Sequence, residues 1–231
     1  MQKLYKNTKL AKASGIRGLG ISKFPLLDEF DGAIDPTWTG SALTNGFTTL
    51  TQTGGYLNWV QTTAAVVDPI TYLAKNIGNQ TNFIVELNIT NMAENTLSPY
   101  NKNFTGLIFF NSANGKALLW GLNHAFASQY LCLLGRFNGI GPGLTPAYVS
   151  TPIQTASLYS TIPSNFFYKV ALSNNTLTFY TSADGVTWTL RGTELLSAHI
   201  LACNSIGLWQ QNNNINTIMT TRSQYFRLTP L

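Results

Sequence analysis

Short alternating runs punctuated by tight turns constrain this chain more than any other feature. Phe166 to Ser173, Thr176 to Ser182 and Thr187 to Arg191 are separated by Asn174-Asn175 and Asp184-Gly185. Asp-Gly between alternating runs signals a hairpin, because glycine accepts the positive φ the turn demands and a period of two puts one face of each strand in a core. The same grammar recurs upstream. Phe47 to Gln52 and Tyr56 to Gln61 flank Gly54-Gly55, and Phe83 to Ile89 alternates. Gly106 to Asn111 and Ala117 to Asn123 flank Ser112-Ala113-Asn114-Gly115 and are apolar on both faces, as central strands are. Gln129 to Phe137, Ile206 to Gln210 and Ser223 to Leu228 complete the set. Ile140 to Pro163, with four prolines, reads as a long loop, and Glu194 to His199 as a single helical turn. Gln211 to Asn214 has no core-building character.

Composition agrees with strands. Only 10% of the 231 residues are charged, against roughly 25% in soluble domains. Thr, Asn, Ser and Gly carry most of the polarity, which favours strands and turns over helices. The net charge of +5 is unevenly placed: Lys3, Lys6, Lys9, Lys12, Arg17 and Lys23 all precede Asp28, the first acid. From Phe24 onward eight basic residues face nine acidic ones. The chain therefore divides into a basic extended arm, residues 1–23, and a β-sandwich domain, residues 24–231. Cys132 and Cys203, each in an apolar context, read as two buried free thiols rather than a disulfide. No apolar run reaches the ~18 residues of a membrane span, and the basic N-terminus lacks the apolar stretch of a signal peptide.

Asp28-x-Phe30-Asp31-Gly32 with Asp35-Pro36-x-Trp38, then Gly55-Tyr56-Leu57, open a series of motifs in register. Thr105-Gly106-Leu107-Ile108-Phe109, Thr178 to Trp188, Ile206-Gly207-Leu208-Trp209 and Tyr225-Phe226-Arg227-Leu228 continue it. In that order and spacing they resemble the concanavalin A-like lectin and glucanase superfamily, in particular its small bacterial sandwich modules. The resemblance covers nearly the whole body. It implies an all-β jelly-roll sandwich of two antiparallel sheets, the chain's ends on neighbouring strands, and a face or loop edge that holds glycans in family members.

Hydrolases of that fold present two or three acids on alternate positions of one strand, and glycosidase chemistry needs a partner for any single carboxylate. Glu86 is the one carboxylate inside a convincing strand, with Asn88 as its same-face neighbour. The expectation is therefore that the chain is not an enzyme and has no catalytic residues. His124 and His199 lie far apart in no ligand-spaced motif. No cofactor is expected. Asp28, Asp31 and Asp35 could take Ca²⁺, but turn residues bonding their own backbone account for them more simply. Sugar recognition needs aromatic faces for stacking and amides for hydroxyls. Trp59, Trp120, Trp209 and Tyr130 with Asn123, Gln211 and Asn213 are the glycan-binding candidates, whereas Trp38 and Trp188 are assigned to the core or to turn packing.

The lysines at every third position, Lys3, Lys6, Lys9 and Lys12, with Arg17, suit anchoring to other protein subunits of an assembly. Nucleic acid is a poor fit, since only Tyr5 interleaves an aromatic with the basic residues, and no membrane partner is expected. The expected function is a structural or display component of a larger assembly, foremost a bacteriophage virion, that also binds polysaccharide. The alternative is an extracellular carbohydrate-binding module of a secreted glycosidase system.

Overall fold

The computed structural model describes residues 26–46, 48–62, 70–78, 80–94, 103–125, 129–140, 147–154, 165–212 and 218–231. The basic arm with Lys3, Lys6, Lys9, Lys12 and Arg17 lies outside the described residues. Two antiparallel sheets face each other in an all-β sandwich, as expected. One sheet has eight strands: β1 (Leu26–Asp28), β2 (Thr48–Thr53), β3 (Tyr56–Gln61), β5 (Phe83–Glu94), β10 (Phe166–Ser173), β11 (Thr176–Ser182), β12 (Thr189–Leu195) and β14 (Met219–Pro230). The other has six: β4 (Ile70–Asn76), β6 (Asn103–Asn111), β7 (Lys116–Ala125), β8 (Gln129–Asn138), β9 (Ala147–Gln154) and β13 (Ser205–Gln211). The larger sheet runs in the order β12-β11-β10-β5-β14-β3-β2 with β1 also on β14, and the smaller in the order β4-β13-β6-β7-β8-β9. The first described strand thus pairs with the last, Leu26 opposite Leu228.

The expected turns close these strands. Asn174 and Asn175 (φ 48° and 65°) and Gly54 and Gly55 (φ 61° and 77°) each carry the two consecutive positive φ values of a tight hairpin. Other expectations need correcting. Ile140 to Pro163 is not all loop, because Ala147–Gln154 pairs with β8 as an edge strand, and its single Pro152 is the kind an edge tolerates. The helical turn is shorter than Glu194 to His199: Glu194 and Leu195 extend β12, leaving a 3₁₀ turn at Leu196–Ala198. Gln211 and Asn212 are buried despite their polarity, at the end of β13, which has a neighbour on each side in β4 and β6.

The alternation fills the space between the sheets. Phe166, Tyr168, Val170 and Leu172 of β10 point inward with Leu177 and Phe179 of β11 and Phe83, Val85 and Leu87 of β5. They meet Leu107 and Phe109 of β6, Leu118, Trp120 and Leu122 of β7, and Cys132 and Leu134 of β8. Trp120 packs on Phe179 with ring centroids 4.9 Å apart. Cys132 and Cys203 are buried thiols not joined in a disulfide, and burial pushes both up to about 12.

Polar fastenings cross this layer, among them the Gln210 amide of β13, which accepts from the Thr221 hydroxyl of β14. The Tyr168 hydroxyl, rising from the larger sheet, accepts the Leu122 N–H at 3.0 Å and donates to the Thr105 carbonyl at 3.3 Å. Those two residues are ladder partners in the smaller sheet. At one end of the sandwich, Lys75 on β4 donates to Asp35 at 2.6 Å, lies 3.9 Å from Asp28 and sits 4.8 Å from the centre of the Trp38 ring. Trp38 in turn donates its indole N–H to Asp28. The segment carrying these residues covers the free edge of β4, where Thr39 exchanges both backbone hydrogen bonds with Ala74, so the edge is not left open. Gly40 (φ 147°) permits that approach, because a Cβ there would run into the Tyr72 carbonyl.

Two of the three acids read as a Ca²⁺ candidate, Asp28 and Asp35, take part in these contacts. Asp28 accepts from the Phe30 N–H and the Trp38 indole, and Asp35 from the Thr37 N–H, the Thr37 hydroxyl and Lys75. Their oxygens serve the chain's own donors.

Removing the Tyr168 hydroxyl by Tyr168→Phe leaves a buried N–H and C=O without it, and should cost about 1–3 kcal/mol in urea unfolding. Burial pushes the Asp35 carboxyl upward, but the bonds from Lys75 and Thr37 outweigh it and hold the group below its ordinary 3.8. A carboxyl depressed by folding contributes stability above its unfolded pKa and loses it as pH falls. The stability gap between the native protein and Asp35→Asn should therefore be constant above about pH 5 and shrink as pH falls below it through the lowered folded pKa in unfolding titrations.

Candidate functional site

The outward positions of the larger sheet hold a row of charge and aromatic rings. Tyr180 on β11 stands opposite Lys169 on β10, Lys169 opposite Glu86 on β5, and Glu86 opposite Arg227 on β14. Directly paired residues share a face, so these four side chains line up across the strands. Arg227 pairs with Glu86 at 3.3 Å and lies 5.2 Å from the centre of the Tyr225 ring. The Lys169 ammonium rests over two rings, 4.1 Å from that of Trp188 and 4.9 Å from that of Tyr180. Such cation–ring contacts hold aromatic side chains upright on a solvated surface.

Trp188 reaches that position from a loop built on one carboxylate. Asp184 accepts from the N–H groups of Val186 and Thr187 and from the Ser182 hydroxyl, which holds its carboxyl far below the usual range. The Ser182 hydroxyl accepts in turn from the N–H groups of Asp184 and Gly185, and Gly185 supplies the positive φ of 73°.

A second row runs beside the first. Phe167, Asn88 and Tyr225 are register partners, and the Phe167 and Tyr225 rings stand 6.5 Å apart across Asn88. Asn88 is fully buried between them and donates to Asn165. Burial, reinforced by Glu86 and opposed by Arg227, pushes the Tyr225 phenol up to about 12, so at neutral pH it is a protonated donor. Farther along β14, Arg222 donates to Asn58 at 2.9 Å and covers the Tyr56 ring. Half-exposed rings among ammonium, guanidinium, carboxylate and phenol groups can stack on the apolar face of a sugar and bond its hydroxyls.

The residues expected for that task lie elsewhere. Trp59 and Trp120 occupy inward positions of β3 and β7 within the core, so neither ring offers a face to a ligand, and this expectation is corrected. Trp209, Gln211 and Asn123 are brought together on the far side of the smaller sheet, where Gln211, Phe104 and Asn123 form one row and Trp209, Gly106 and Gly121 the next. The Trp209 indole donates to the Trp120 carbonyl and its ring stacks on Phe104. At 3%, 7% and 5% exposure, however, Trp209, Gln211 and Asn123 present almost no surface. The side chain of Tyr130 and the whole of Asn213 lie outside the described residues. Trp38 is in the core as assigned, but Trp188 is a half-exposed surface ring. The signal for the observed face was present, since Phe167, Lys169 and Tyr180 fall on the outward phase of the two clearest strands.

No protein-family model matches the sequence, and no curated protein sequence matches it. Among solved structures the chain is similar to a mutant of the GH43 protein BlXynB from Bacillus licheniformis, with a TM-score of 0.62 and 13% identity over 89% of this chain and 39% of that one. It is similar to a xylan beta-1,4-xylosidase from Bacillus halodurans, with a TM-score of 0.58 and 12% identity over 94% and 41% of the two chains. It is also similar to the CBM2 module of the evolved Dit of Lactobacillus casei BL23 phage J-1, with a TM-score of 0.53 and 13% identity over 87% and 94%. The chain spans about two fifths of the length of the two glycoside-hydrolase chains. At these identities the likeness shows a shared β-sandwich fold. The expectation that the chain is not an enzyme is corrected by the GH43 matches: chains containing this fold include glycoside hydrolases, so a single strand carboxylate does not exclude catalysis.

Of the five tryptophans, Trp38, Trp59, Trp120 and Trp209 are buried and Trp188 is not. Acrylamide should therefore quench a fraction of the native fluorescence that disappears in Trp188→Phe and persists in Trp209→Phe.

Proposed function

We propose that this chain is a glycan-binding β-sandwich of the concanavalin A-like kind and that the outer face of its eight-stranded sheet receives the sugar. The observation that carries this reading is the set of half-exposed rings, Trp188, Tyr180 and Tyr225, held upright around Lys169, Glu86 and Arg227. Rings at outward strand positions give up apolar burial, and cation contacts recover only part of it. Stacking on a pyranose would recover more.

The setting we propose is a larger assembly, a bacteriophage virion first, in which the basic arm through Lys3, Lys6, Lys9, Lys12 and Arg17 engages protein subunits and the sandwich is displayed. The similarity to a module of a phage Dit supports that setting, and the charge division between arm and body supports the anchoring role. The similarity to chains of GH43 proteins supports the alternative, an extracellular sandwich working within a glycoside-hydrolase system.

Affinity gel electrophoresis against a panel of soluble polysaccharides tests the glycan reading. At least one should retard the full chain, and Trp188→Ala and Tyr225→Ala should each weaken that retardation about tenfold, or ~1.4 kcal/mol, with unchanged melting. Equal retardation of variants and native protein, or none by any polysaccharide, would sink it.

A further inference from the structure

The row across the larger sheet carries an order of charges that a sugar polymer can match. Lys169, Glu86 and Arg227 sit on three adjacent strands in direct register, so the two cationic residues flank the carboxylate on strands about 10 Å apart, twice the strand spacing. Each cation has capacity left. The Lys169 ammonium lies over the Trp188 and Tyr180 rings and is attracted by Glu86, but among the described residues it forms no close ion pair with a carboxylate. The Arg227 side chain is 45% exposed and gives Glu86 one nitrogen at 3.3 Å, while a guanidinium has five N–H donors in a fork. Glu86, 20% exposed, lies at the centre.

We propose that this row selects polysaccharides in which an anionic residue alternates with an uncharged one. The proposal rests on the glycan-binding reading above and adds the class of glycan. A chain laid across the strands meets positive, negative and positive charge in steps of about 5 Å, and the full period is about the length of a disaccharide. An acidic group on every second residue pairs with Lys169 and Arg227 and leaves an uncharged residue over Glu86. A polymer charged on every residue sets one anion against Glu86, which costs affinity as like charges in contact do. A neutral polymer leaves both cations unused. Trp188 and Tyr180 at one end of the row and Tyr225 at the other provide the stacking surfaces.

The test uses the full chain in affinity electrophoresis at about 0.15 M salt, where loose long-range attraction is screened. The probes are hyaluronan and κ-carrageenan, charged on alternate residues, polygalacturonate, charged on every residue, and neutral xylan. Hyaluronan or κ-carrageenan should retard the chain about tenfold more strongly than either of the others. Lys169→Gln and Arg227→Gln should each remove most of that preference, and Glu86→Gln should raise affinity for polygalacturonate. Equal binding to xylan would overturn the charge selection and leave the glycan reading intact. Polygalacturonate binding as strong as the best alternating polymer would overturn the alternation. Retardation by none of the four, with another neutral glycan bound, would overturn this proposal alone, and failure to bind any glycan would overturn both.

Discussion

The layer of side chains between the two sheets is the constraint on which the rest of the molecule depends. Each sheet is held by its own backbone ladders, and what joins them is apolar burial from both inner faces. An apolar contact is non-directional and does not by itself set how one sheet slides over the other. The directional element comes from Tyr168, whose hydroxyl bonds to Thr105 and Leu122 of the opposite sheet, and from Lys75, which gathers Asp28, Asp35 and Trp38 at one end. A third link joins Arg136 on β8 to Glu194 on β12 across the opposite side. A buried polar group is costly when unpaired, so each of these favours the arrangement in which its partner is within reach.

With the inner faces committed to each other, the two outer faces differ in kind. That of the smaller sheet is apolar: Tyr72, Ile108, Phe110, Leu119, Phe137 and Trp209 form a second buried cluster there. That of the larger sheet carries the exposed Thr49, Thr51 and Thr53 at one side and the ring and charge rows in the middle. A sheet face can carry such groups only if the opposite face alone supplies enough burial to hold the strands. Here β10, β11, β5 and β14 do so, with every inward side chain of the β10 strand buried. This outer face is free to be polar because the inner face supplies the apolar burial.

The fold recurs in chains of very different sequence. Identities of 12–13% with two glycoside-hydrolase chains and a phage module are what a fold maintained by alternation and turn chemistry allows. The same fact explains why counting strand carboxylates was a poor guide to catalysis. Acids can also come from loops, and a sandwich can be one part of a longer enzyme chain. Function in this architecture has to be read from the surface a particular sequence displays.

The sequence by itself determined most of the strands and their turns, though not β1, β4 or β9. Asn174-Asn175, Gly54-Gly55 and the alternation of Phe166 to Ser182 were legible because these signals are local: a positive φ or a period of two needs no distant partner. Edge strand β9 was hidden by Pro152 and by the prolines that flank it in the chain, and the burial of Gln211 and Asn212 by their polarity. Which tryptophan faces solvent was decided by tertiary structure alone. Trp59, Trp120 and Trp188 are equally aromatic in the sequence, but two fall on inward strand positions, while Asp184 carries the third out over Lys169. The row Lys169, Glu86 and Arg227 joins three strands far apart in the chain, and only the register of those strands places them side by side. Sequence separation carries no information about that register; the packing of the sandwich does.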